Sequence, residues 1–90
     1  MPYIKKEDRE KYEDIINEAV RRIHCGNKIP SAGELNYVIS SIIWKLFDIN
    51  PSYTTGNNFM GVLDCVKQEF YRRKLAPYED EKIKENGDIQ

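Results

Sequence analysis

The side chains best suited to chemistry in this 90-residue sequence are cations set among tyrosines. Arg72, Arg73 and Lys74 follow Tyr71, and Tyr78 lies just beyond. Arginine forks match phosphate or carboxylate oxygens bidentately, and neighbouring tyrosines can stack a base, so this grouping fits an anionic nucleotide-type ligand. The plainer reading is that the cations complement the C-terminus of a helix and solvate its surface. Arg73 falls on the arc that carries Phe59, Val66 and Phe70, where its stem can snorkel or its head can pair with Glu69 or Asp80. A second basic cluster, Lys5, Lys6, Arg9 and Lys11, interleaves with Glu7, Asp8, Glu10 and Glu13. Opposite charges four apart, such as Glu7 and Lys11, describe a solvated helix face. Arg9 is set apart because it flanks the Tyr12 and Ile16 stripe, and it joins Tyr71, Arg72, Arg73 and Tyr78 as a candidate ligand contact.

Other chemistries find less support. His24, Cys25 and Cys65 are three potential metal ligands, two of them adjacent, whereas structural zinc takes four, usually in spaced pairs. No cysteine–histidine nucleophile can be read from adjacency in sequence, since such partners meet in space. Cys65 reads as a small buried hydrophobe on the flank of an apolar face. Carboxylates such as Glu13 and Asp14, or Glu79, Asp80 and Glu81, fall at exposed helix starts, with no apolar pocket to raise their pKa. The five glycines form no phosphate-binding loop. Neither an enzyme nor a cofactor nor a metal is expected.

Composition narrows the class further. Fourteen Lys and Arg against fifteen Asp and Glu give a net charge of −1, which argues against a nucleic-acid partner. Hydrophobic residues at 40% and charged residues at 32% fit a folded soluble domain. No run approaches the ~20 apolar residues of a membrane span. The opening Met1-Pro-Tyr-Ile-Lys-Lys has no apolar signal core, so a cytoplasmic protein with reduced thiols is expected.

The elements that carry these residues are helical. Tyr12, Ile15, Ile16, Ala19, Val20 and Ile23 make one stripe on a helix from about Lys6 to His24. Gly26 or Asn27 can take the left-handed stop. Ser31 and Glu34 form a capping box. The helix behind it carries Leu35, Val38, Ile39, Ile42, Ile43, Leu46 and Phe47, and ends near Asn50 because Pro51 follows. A third helix, capped by Thr54 or Thr55, carries Phe59, Val62, Leu63, Val66 and Phe70 and reaches about Lys74. Ala76-Pro77 is expected to break the chain, with Pro77 in the first turn of a short fourth helix ending at Asn86-Gly87. The fold expected is a single all-α domain over 1–90, a small bundle of three main helices plus a short C-terminal helix. Gly61, inside the third helix, suggests close approach of another backbone or a ligand, and with Asn57, Asn58 and Asp64 it marks a polar, low-relief face.

On a helical wheel the second helix is apolar on one broad arc, while Tyr37 and Trp44 meet on the opposite side. A helix apolar on both sides is central in its fold or pressed against another subunit. Three readings stay open: the C-terminal segment covers Trp44, Tyr37 and Trp44 form a homo-oligomer contact, or the pair is a ligand-stacking platform.

Met1-Pro-Tyr-Ile4 with Arg9, Gly33-Glu-Leu-Asn-Tyr37, Asn57 with Gly61-Val-Leu63, Cys65-Val-Lys through Glu69-Phe-Tyr-Arg-Arg73, Pro77-Tyr-Glu-Asp80 and Glu85-Asn-Gly-Asp88 span the chain. Together they resemble an uncharacterised family of short phage and bacterial proteins of about this length. The resemblance brings no established activity. It implies a phage or mobile-element accessory protein of the host cytoplasm that binds rather than catalyses, including the antagonism of a host defence. The partners expected are a second copy of the chain and either a small anionic nucleotide-type ligand or a host protein.

Overall fold

The computed structural model describes residues 3–24 and 28–90. Among the described residues the regular elements are all helical, so the protein is all-α. Its elements are α1 (Lys6–Ile23), α2 (Ala32–Ile49), α3 (Tyr53–Phe70), a π-helical turn (Tyr71–Leu75) and α4 (Ala76–Asn86). The chain divides into two units, Met1–Ile49 and Asn50–Gln90.

In the N-terminal unit, α1 starts with Glu7 and Asp8 and ends with Arg21 and Arg22, charges that complement the helix dipole at each end. Its last turn closes on His24, whose backbone N–H bonds the Val20 carbonyl at 3.1 Å. The His24 ring Nδ1 bonds that same carbonyl. The expected stop at Gly26 or Asn27 lies outside the described residues, as does Cys25. Helix α2 opens as its sequence requires. The Ser31 N–H donates to Glu34 Oε1 and the Glu34 N–H donates to Ser31 Oγ, both at 3.2 Å. Two backbone donors that the helix cannot satisfy internally are thereby matched.

The C-terminal unit departs from its expected layout at two places. The cap of α3 is Ser52, whose Oγ accepts from the Thr55 N–H at 3.0 Å, so the helix starts at Tyr53 rather than behind Thr54 or Thr55. Three capping-type residues stand close together here. Ser52, directly after Pro51, is the one in extended backbone, at φ −165° and ψ 163°. The second departure is at Ala76-Pro77, which does not break the chain. Phe70, Tyr71, Leu75 and Ala76 all hold right-handed helical angles, and the helix runs from Tyr53 to Asn86 without interruption.

Proline has no N–H, and its ring collides with the carbonyl four residues back. The chain meets that demand by widening one turn: the Ala76 N–H reaches the Tyr71 carbonyl five residues back. The helix then stops at Gly87, whose φ of 85° lies in the region only glycine adopts freely. Pro77 does sit in the first turn of α4, as expected.

Within neither unit is any described residue buried. Val38, Ile43, Phe47 and Phe59 are half-buried, while Ile42, Leu46, Val66 and Phe70 remain exposed. Burial of apolar surface is the main favourable term in folding, so stripes left open in this way stand out as exposed apolar surface.

Candidate functional site

The predicted ligand residues divide between the two units. Arg9 belongs to α1, and its Nε donates to the Ile4 carbonyl at 3.2 Å. The side chain thus folds back and fastens the segment that leads into the helix. Tyr71, Arg72 and Arg73 lie in the π turn, and Tyr78 lies in α4.

Both guanidinium groups of that turn are already engaged. Arg72 Nη2 reaches both carboxylate oxygens of Glu69, at 3.0 and 2.9 Å. Arg73 Nη1 lies 3.7 Å from the same carboxylate. Glu69 is half-buried beneath the two arginines. Of the two partners open to Arg73 in the sequence, Glu69 is therefore the one it takes. An anion entering here would compete with a carboxylate held at three- and four-residue spacing on the same helix. These pairs are exposed, so each is worth a fraction of a kcal/mol, on the order of 0.3–0.5.

Tyr71 gains a neighbour that the sequence reading missed. The Glu79 carboxylate two turns on, through hydrogen bonding and then its charge, with some desolvation and the charge of Asp80, pushes the phenol above its ordinary range. Lys82 stands over the Tyr78 ring, 5.5 Å from its centroid. A shallow, open hollow on this helix is lined by Lys67, Gln68, Glu69, Tyr71 and Arg72. Arg73 and Tyr78 take no part in it. The grouping offers charge and ring faces on an open helix surface, without an enclosing wall.

Tyr37 and Trp44, the candidate interface pair, are among the most open large side chains of α2, 74% and 72% exposed. Tyr37 also edges an open hollow within the N-terminal unit, together with Arg22, Ile23, Gly33, Glu34 and Val38. Arg22 shares Glu18 with Arg21, at 2.7 and 2.6 Å. The hydrogen bonds from Arg21 and then Arg22 hold the Glu18 carboxyl below its ordinary pKa. Glu34 is likewise held low, first by the Ser31 side chain and then by its backbone N–H. The i, i+3 and i, i+4 spacing of Glu18 with the two arginines could have announced this clamp in the sequence.

Two expectations are corrected here. Cys65 is exposed rather than a buried hydrophobe, because no element of its own unit covers that flank of α3. At Gly61 a side chain would meet nothing within 4 Å, so no backbone approaches it closely. Among the described residues no three His, Cys, Asp or Glu side chains converge in a way that could hold a metal ion. Among the same residues, no helix is long and apolar enough to cross a membrane.

Comparison with known proteins adds a family without an activity. The family described as Domain of unknown function (DUF6899) matches residues 1–89. No curated protein and no solved structure matches the chain.

Proposed function

Because the chain belongs to the DUF6899 family over nearly its whole length, and that description assigns no chemistry, we propose a function from its surfaces: a non-enzymatic binding protein that works as a homo-oligomer. The observation that carries this reading is the state of α2. Leu35, Ile39, Ile42 and Leu46 on one arc are between 43% and 53% exposed, while Tyr37 and Trp44 stand open on the other. Water against both sides of an apolar helix is costly, at roughly 25 cal/mol per Å² of apolar surface. Aromatic residues are enriched at the centres of interfaces, and a small chain that buries little by itself gains most from association.

The resemblance to phage and bacterial accessory proteins supports a setting of that kind, inside a host cell. The cargo of such an oligomer is the second part of the proposal: an anionic nucleotide-type ligand at Tyr71, Arg72, Arg73 and Tyr78, or a host protein on the Tyr37 and Trp44 face. Engagement of both arginines by Glu69 weighs against the first, and the openness of Trp44 favours the second.

Light scattering on the full chain at low micromolar concentration tests the central claim. A mass that is a multiple of one chain, falling at least tenfold in apparent affinity in Trp44→Ala, is the expected result. A wild-type mass of one chain at every concentration would overturn it.

A further inference from the structure

We infer that the helix from Tyr53 to Asn86 is itself a self-recognition element, pairing antiparallel with the same helix of a second copy about a twofold axis near Ala76 and Pro77. This deepens the homo-oligomer reading and rests on it.

The first observation is a reversal of charge about the Ala76–Pro77 bond. Counted outward from it, Lys74 matches Glu79, Arg73 matches Asp80, Arg72 matches Glu81, and further out Glu69 matches Lys84 with the signs exchanged. Leu75 matches Tyr78, and Phe70 matches Ile83. A twofold interface sets residue i against residue j and residue j against residue i. A second copy laid antiparallel therefore puts each basic segment beside an acidic one. A parallel copy would put like against like. Complementary charge of this kind selects partner and orientation.

The second observation is which charges are free to respond. Arg72 and Arg73 share Glu69, Lys82 pairs with Glu85 and Lys84 pairs with Glu81. Lys74, Glu79 and Asp80, the residues nearest the bond, form no ion pair among the described residues.

The third observation is the π turn. In an uninterrupted α-helix Tyr78 would lie about 80° around from Phe70. A turn that absorbs one extra residue sets everything beyond it back by about 100°, which leaves Tyr78 only about 20° from Phe70. Phe70 and Tyr78, 59% and 60% exposed, thus continue the open stripe of Val66 across the axis, with Leu75 beside them. Leu75 and Tyr78, three residues apart, are neighbours on one helix face and flank the axis on either side.

Sedimentation velocity on the full chain at 0.05 M and 0.5 M salt tests the pairing, with circular dichroism reporting helix content. Two variants reverse one sign each: Arg72→Glu/Arg73→Glu/Lys74→Glu, and Glu79→Lys/Asp80→Lys/Glu81→Lys. Each alone should self-associate at least tenfold more weakly at low salt, and an equimolar mixture should recover the wild-type association. High salt should weaken the wild type several-fold, since screening shortens to ~4–5 Å. Where a variant alone loses helix, regain of helix on mixing supports the pairing and its absence overturns it. Undiminished association of both variants overturns it as well, while leaving the homo-oligomer reading intact. A wild type that remains a single chain removes both.

Discussion

Replacing Pro77 by alanine tests the origin of the π turn. The substitution restores an N–H that an α-helical turn would direct at the Arg73 carbonyl, and it removes the ring that collides with that carbonyl. Proline in a helix interior costs about 3 kcal/mol relative to alanine. The structure has already escaped most of that by widening the turn, so what the variant recovers is the difference between a π and an α turn plus one backbone bond. A net hydrogen bond is worth about 1 kcal/mol, and we take that as the gain. In a chain of this size it raises the thermal midpoint by roughly 4–8 °C, measured by circular dichroism at matched protein concentration. Amide hydrogen-bond couplings should show the Ala76 N–H moving from Tyr71 to Arg72. Should the bond to Tyr71 persist in Pro77→Ala, the proline is not what widens the turn, and the reasoning fails. The same variant rotates Tyr78 away from Phe70, so it should bind its own kind less well even as its helix gains stability. Those two readouts move in opposite directions, which a general destabilisation could not produce.

Further outcomes follow from the helix ends and the exposed carboxylates. Ser52→Ala removes the acceptor of the Thr55 N–H and should cost about 1 kcal/mol of helix stability, seen as faster hydrogen exchange at Thr55 and Gly56. Glu18 and Glu34 are held below their ordinary 4.5 in the folded chain. A depressed carboxyl contributes stability that is complete above the unfolded pKa and is lost as pH falls through the folded one. Helix content should therefore decline on acidification below about pH 4.5, with the Glu18 share screened by salt. An acid transition unchanged by Glu34→Gln would show that the capping carboxylate plays no part in it.

The residues that were legible in the sequence are those whose partners lie within one turn. Ser31 and Glu34 close their box as the spacing demands, and Gly87 ends the last helix where a left-handed residue was needed. Glu69 beneath Arg72 and Arg73 obeys the same local rule. The α3 cap was harder to place because Ser52, Thr54 and Thr55 are all competent, and backbone geometry rather than residue type decides among them. Pro77 was read as a break because a proline usually costs a bond, while the alternative of widening one turn leaves no mark in the pattern. Cys65 and Gly61 were misread for a shared reason. Periodicity shows which side of a helix is apolar, but it does not say what, if anything, lies on its flanks. The candidate site was legible as a set of residue types, and the occupation of its arginines by Glu69 decides how much of it is available.

A unit in which every described side chain keeps some contact with water has little private stability to lose. Damage to such a protein is therefore felt collectively. If the chain assembles as proposed, a copy carrying a disrupted stripe and produced beside intact ones would enter the same assemblies and spoil them out of proportion to its abundance. Production below the assembling concentration would leave single chains open to proteolysis. On that proposal, gene dosage would set whether the protein persists at all.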